Sequence, residues 1–298
     1  MIYVTGDTHS DFQRFSTRIF PEQKDMSKDD YMIICGDFGG VLSADPDDRT
    51  EKYWMDWLEG KNFTTLFIDG NHENFERLDA MPAVSWHGGK VHRLRPTILH
   101  LMRGQIYEIG GISFFTFGGA RSHDIKDGIL QRDDPRLKSR RWRDGTKDFR
   151  IDHVNWWQHE LPNADEMEEA RKNLQAAHWK VDHILTHCMP TSLHLLAGKM
   201  IAEREEKHRR DLERFARPIS ADPFQKKETG QGTEGESCIL RDEEPAIRNE
   251  FVRDSLTDFL EMIRDKCCYR TWFCGHYHMD HNFTAKEKVL YRQMIRIA

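Results

Sequence analysis

The sequence predicts an α/β fold with two sheets, and three observations carry that prediction. Short apolar runs alternate with helical patterns through the first third of the chain, as in βαβ units. Those runs are nearly continuous in apolar residues, as parallel strands buried on both faces are. From residue 90 to 118 the texture changes to closely spaced short strands with glycine-containing turns, the mark of a second, antiparallel region. A chain of 298 residues is long enough to bury a sizeable core. Its 17 Phe, 8 Trp and 7 Tyr supply the bulk for one despite a charged fraction of 32%.

Taken in order, residues 2–5 (IYVT) read as a strand, and Phe12, Phe15 and Ile19 give a helical stripe. A second strand at 31–35 (YMIIC) follows the polar turn SKDD. Tyr53, Trp54, Trp57 and Leu58 mark a helix, and 63–68 (FTTLFI) a third strand. Residues 97–102, 104–109 and 112–117 read as an antiparallel meander, with Gly110-Gly111 as a hairpin turn. Helical patterns at 151–161 (Ile151 and Val154 with Trp156 and Trp157) and 164–178 precede a buried strand at 181–186. A helix at 249–265 carries Phe251, Val252, Leu256, Phe259, Leu260 and Ile263, and strands at 269–274 and 288–297 close the chain. We read a single domain over 1–298 with no internal repeat. It carries a 199–248 insertion, a charged helix followed by a stretch with little to bury, which is either a solvated appendage or a cap over a nearby site.

Composition narrows the function. Fifty acidic and 44 basic residues give a formal charge of -6, against a general nucleic-acid coat but not against local basic patches. No window approaches the ~20 apolar residues of a membrane span, and the start MIYVTGDTHSDF lacks the pattern of a secretory signal. A cytoplasmic protein without a membrane partner is expected. Cys35, Cys188, Cys238, Cys267, Cys268 and Cys274 show no CxxC spacing and read as reduced thiols. The Cys188 thiol is expected to pack behind the sheet, like Cys35 and Cys274.

The 16 histidines hold the chemistry. The first strand ends in Asp7-Thr8-His9, the second in Gly36-Asp37, and the third in Gly70-Asn71-His72-Glu73. The 181–186 strand ends in His187, and the 269–274 strand in Gly275-His276-Tyr277-His278. Residues two apart on a strand point the same way, so a carboxylate and an imidazole can converge on one metal. Each piece alone is weak. Five strands delivering metal-type ligands in order at their C-terminal ends, where open α/β sheets place ligands, is a strong signal.

The order DTH, GD, GNHE, H, GHYH resembles the calcineurin-like metallophosphoesterase superfamily across residues 5–278. The resemblance implies a four-layer α/β/β/α sandwich of two mixed sheets with a metal site at the C-terminal strand ends. It implies two divalent ions. Asp7, His9 and His278 would hold one, Asn71, His187 and His276 the other, and Asp37 would bridge them. The oxygen and nitrogen donor set, without thiolate, suits manganese first, with iron, zinc or nickel as alternatives. By the same resemblance His72 is the catalytic histidine, stabilising phosphoryl charge or protonating the leaving alkoxide. The implied reaction is hydrolysis of a phosphate mono- or diester by attack of a metal-bound hydroxide, without a covalent enzyme intermediate.

The match departs in its second motif. Ser/Thr protein phosphatases continue it as GDxxDRG, whereas Gly40 and Val41 stand here at the Asp and Arg positions. A phosphoprotein is therefore disfavoured as a substrate against a small or nucleotide-like phosphate ester. The first motif ends in Ser10, where the family usually has glycine. Arg121 and His123, in the glycine-led segment after FFTF, are candidates to grip the substrate, and Trp86 to Lys90 a weaker one. Tyr277 reads as packing or as a stacking platform. The basic segment 136–150 around Trp142 keeps a nucleic-acid partner, and with it a nuclease, as an alternative. A phosphate-binding scaffold without turnover is another alternative, one that expects lost ligands or a lost His72, and neither is lost.

Overall fold

The computed structural model describes residues 1–216 and 251–298. Along the chain run β1 (Ile2–Thr5), β2 (Tyr31–Cys35), α1 (Arg49–Glu59), β3 (Thr64–Ile68) and α2 (Phe75–Asp79). Then come β4 (Ala83–Trp86), β5 (Gly89–Arg95), β6 (Ile98–Leu101), β7 (Gln105–Ile109), β8 (Ile112–Phe117) and β9 (Gly128–Leu130). α3 (Arg140–Arg143), β10 (Phe149–Ile151), α4 (Ala164–Ala176), β11 (His183–Thr186) and α5 (Thr191–Ala216) follow. α6 (Ser255–Lys266), β12 (Thr271–Cys274), β13 (His281–Asn282), β14 (Glu287–Val289) and β15 (Met294–Arg296) complete the fold.

Two mixed sheets dominate, ordered β15-β1-β2-β3-β6-β5-β4 and β13-β14-β12-β11-β8-β7. Strand alternation sorts side chains between two faces. Ile2, Val4, Ile33, Leu66 and Ile68 of the first sheet meet Tyr107, Ile109, Phe114, Leu185 and Phe273 of the second in one central core. The opposite face of the first sheet, with Tyr3, Met32, Ile34 and Phe67, packs on Met55 and Leu58 of α1. The opposite face of the second sheet packs Phe115, Phe117, Ile184 and Trp272 on Ala170 and Leu174 of α4 and on Leu256, Phe259, Leu260 and Ile263 of α6. Helix, sheet, sheet, helix is the four-layer sandwich that the motif order implies.

Several element boundaries differ from the sequence reading. The stripe at Phe12, Phe15 and Ile19 becomes a 3-10 turn at Phe12–Phe15, with Ile19 exposed. The expected three-strand meander divides between the sheets. β6 pairs in parallel with β3, and only β7 and β8 form the hairpin of the second sheet. The final strand is two short ones in different sheets, β14 beside β12 and β15 antiparallel to β1. The 249–265 helix begins at Ser255, where the Asp254 side chain accepts the Thr257 amide and caps it. The expected charged helix is the C-terminal part of α5, which starts at Thr191, while 217–248 lie outside the described residues.

The 151–161 helix is absent. Phe149–Ile151 instead pairs in parallel with β9, and the Asn155 Oδ1 accepts the Ile151 amide in a turn. Only Gln158–Glu160 then coil, as a 3-10 turn. No helix among the described residues is long and apolar enough to cross a membrane. Cys35, Cys188 and Cys274 are buried and unbridged, packed in apolar clusters.

Candidate metal centre

The sandwich brings the C-terminal ends of β1, β2 and β3 from one sheet against those of β11 and β12 from the other. Asp7 and Asp37 are buried at the junction. Donor atoms of Asp7, His9 and His278 lie within 4.8 Å of one another, as do those of Asp7, Asp37 and His187. His9 Nε2 stands 2.9 Å from His278 Nε2, and the two are 3.6 and 3.3 Å from the same oxygen of Asp7. His187 Nε2 lies 3.4 Å from Asp37 Oδ2 and 3.2 Å from Asn71 Oδ1. The His276 ring sits beside His187, centroids 5.0 Å apart, and its amide donates to Asp7 at 2.8 Å. All seven candidate ligands meet in one place, with Asp7 reaching both groups.

Supporting hydrogen bonds aim the donors. His187 Nδ1 donates to the Cys35 carbonyl at 2.9 Å, turning Nε2 toward Asn71 and Asp37. Asn71 Nδ2 donates to Ser122 Oγ at 3.2 Å, and that hydroxyl donates to buried Glu160, so Asn71 presents its oxygen to His187. Glu73, fully buried, has its carboxyl pushed well above the usual carboxylate range by burial and by Asp37; it accepts the Phe38 amide and fixes the loop after Asp37.

Backbone geometry is unusual here. His9, Ser10, Asp37, His276 and His278 all have positive φ, between 41° and 70°. Such conformations cost about 1–3 kcal/mol each in non-glycine residues and persist where the surroundings enforce them. Ser10, at φ 65°, explains why glycine is usual at that position; its hydroxyl donates to the Gly39 carbonyl at 2.6 Å. A Cβ at Gly36 would lie 2.0 Å from His187 Nδ1, one at Gly70 2.0 Å from Asp37 Oδ1, and one at Gly275 2.0 Å from Asp7 Oδ1. Three strand-end glycines therefore make room for three ligands.

The electrostatics suit a cation. Burial by itself would lower the basicity of His187, yet Asp37 and Asp7 raise its pKa to about 10. Burial pushes the Asp37 carboxyl up, and His187 and His72 more than offset it, holding the group well below the usual carboxylate range. A pair of buried carboxylates, ringed by imidazole and amide donors with no thiolate, fits divalent ions of the manganese-to-zinc series.

A cleft of about 490 Å³ opens over this centre, lined by His9, Asp37, Asn71, His276 and His278 together with His72 and His123. The His72 amide donates to Asp37 Oδ1 at 2.8 Å, and burial, opposed by Asp37, lowers its imidazole pKa. Arg121 is exposed and does not line this cleft, so the structure does not bring it to the centre. The arginine that reaches the cleft is Arg150 of β10, ion-paired with Asp124. Residue reading missed this pair, although Asp124 adjoins the candidate His123 and Arg150 ends the flagged basic segment. Trp157, expected on a helix, lines the cleft instead.

The remaining candidates settle elsewhere. Gly40 and Val41 turn into apolar packing, where a Cβ on Gly40 would strike the Phe38 ring at 2.2 Å and force it to shift. Trp86 to Gly89 form the turn of the β4–β5 hairpin at a sheet edge, and Lys90 pairs with Glu169. Tyr277 is buried, its hydroxyl accepting the Met189 amide at 3.1 Å and lying 2.7 Å from His194 Nδ1. In the basic segment, Arg136 pairs with Asp134, Lys147 with Asp127 and Arg150 with Asp124, while Arg136 and Lys147 cover Trp142.

Residues 1–209 match the family model of the calcineurin-like phosphoesterases. The chain belongs to this family. It is 28% identical over 143 residues to lariat debranching enzyme A of Xenopus laevis, and 27% identical over 142 residues to the lariat debranching enzyme of Homo sapiens. Each alignment covers 44% of this chain and 26% or 25% of the relative, so the chain spans about a quarter of the length of the relatives it matches.

Proposed function

We propose that the chain hydrolyses a phosphate ester with two divalent ions, manganese first among them, held by Asp7, His9, Asp37, Asn71, His187, His276 and His278. The observation that carries this reading is the convergence of those seven side chains, from both sheets, around two buried carboxylates. Ions bound there supply Lewis acidity, polarising phosphoryl oxygens and acidifying water. The chain's own residues do the rest. Asp37, through the His72 amide, fixes that histidine over the cleft, where its imidazole donates a hydrogen bond to a phosphoryl oxygen or relays a proton to the departing oxygen. Arg150 offers guanidinium donors to the phosphate from the cleft wall, in the role sought for Arg121, and His123 lines the same cleft.

Replacing Asp37 with Ala should remove metal at both positions and nearly all turnover of nitrophenyl esters. Replacing His72 with Ala should keep the metal and lower turnover by roughly 10²–10⁴. Metal analysis beside kinetics separates the two, and an Asp37→Ala protein with two metals and full rate would refute the assignment. The relatives' names, which speak of lariats, favour a nuclease as the second reading. Against it, Arg136, Lys147 and Arg150 of the 136–150 segment are already paired to acids.

A further inference from the structure

We infer that the substrate is a phosphodiester whose two ester arms occupy two clefts meeting at the metal centre, an inference that rests on the phosphoesterase reading above. The first cleft, about 490 Å³, runs from the centre over His72 toward Leu42, Val154 and Trp157. A second, about 840 Å³, lies under the α5 residues Met200, Ile201 and Arg204, with Phe251 and Met279 also in its lining. His123, His276 and His278 line both. The two clefts therefore open on one ligand cluster from different sides, and each has the size of a small-molecule site, roughly 300–1,000 Å³. A monoester has one organic arm and leaves a cleft to water, whereas a diester has an arm for each.

Charge points the same way. A phosphomonoester carries about −1.5 to −2 near neutral pH, while a diester has a single ionisable oxygen and carries one negative charge. Arg150 is the one Lys or Arg lining the first cleft among the described residues, and Asp124 already neutralises it. In the second cleft Arg204 and Lys207 share the lining with Glu205, Asp211 and Asp280. Beyond the ions proposed at their junction, neither cleft lining adds a surplus of permanent positive charge for a second negative one.

The lining also distinguishes the arms. His72 lines the first cleft and not the second, so the arm that departs sits in the first. Water oxygen forms the new P–O bond, and the bond from phosphorus to that arm breaks. One water proton reaches the departing oxygen by way of His72, and the other stays with the product. The product monoester keeps its remaining arm under α5, which gives the described part of the 199–248 segment a role as a wall of the site.

The test compares kcat/KM of the manganese-loaded full chain on bis-p-nitrophenyl phosphate and on p-nitrophenyl phosphate. The diester should be favoured at least tenfold. A smaller ratio overturns the diester inference and leaves the phosphoesterase reading standing; no turnover of either ester overturns the reading beneath it as well. Met200→Trp, which narrows the second cleft, should lower the diester-to-monoester ratio about tenfold, and an unchanged ratio refutes the arm placed there. If a thermal melt shows that this variant does not fold, Arg204→Trp, at an exposed position of the same helix, makes the same measurement.

Discussion

At the scale of single residues, the centre depends as much on what is missing as on what is present. Gly36 sits at φ 93° with no room for a methyl group, because the His187 ring occupies that space. Gly36→Ala combines a left-handed backbone with a Cβ 2.0 Å from His187 Nδ1, so the ring must turn off its Cys35 carbonyl. The expected result is a folded protein whose metal affinity falls roughly 10–100-fold, the range seen when a partner that orients a ligand is lost. Titration of the metal-free variant against the parent, followed by metal analysis, checks it; equal affinity would show that the ring has slack. The proposed ligands stood out as candidates because aspartate, asparagine and histidine at strand ends announce their chemistry locally. Arg150 was not, because its place beside Asp124 depends on a contact 26 positions away.

At the scale of elements, a chain of charges ties the helices to the sheets behind the centre. Arg103, nearly fully buried, donates to Asp69 at 2.6 and 2.8 Å and to Glu166 at 3.2 Å. His159 spans Glu166 at the start of α4 and Asp79 at the end of α2, at 3.2 and 2.7 Å. Those two carboxylates, Asp79 first, raise the His159 pKa to about 9 from its ordinary 6.5. A histidine with a raised native pKa stabilises the fold fully below about pH 6.5 and loses that contribution as pH rises through about 9. The stability advantage of the parent over His159→Gln should therefore be largest near pH 6 and fade above pH 9, as read by urea denaturation at each pH. A pH-independent difference would assign the residue to packing alone. Elements with a clear apolar pattern, the runs of β2 and β3 and the helical spacing of Leu256, Phe259, Leu260 and Ile263 in α6, were readable from sequence. The 151–161 segment was misread because Ile151, Val154 and the two tryptophans mimic helical spacing while pairing with β9 sets the actual conformation.

At the scale of the whole molecule, the proposed centre would be a clasp between two sheets, since β1, β2 and β3 bring its candidate ligands from one and β11 and β12 from the other. Metal that binds only the folded chain stabilises it by mass action, about 2.7 kcal/mol at a hundred times Kd. For a protein of this size that corresponds to a Tm rise of roughly 4 °C. A thermal melt with manganese against one with chelator should show this rise in the parent and not in Asp37→Ala. No rise in the parent would mean that the clasp closes without ions.

The sequence by itself determined the layered α/β class, the family and the order in which seven ligand-type residues reach the strand ends. These properties are carried by short-range periodicity and by motifs a few residues long. Only the tertiary structure decided that Arg150 and not Arg121 faces the cleft, that Asp124 neutralises it, and that α5 walls a second cleft joined to the first at His123, His276 and His278. Those features arise where segments distant along the chain are packed together, and packing between distant segments leaves no periodic trace in either one.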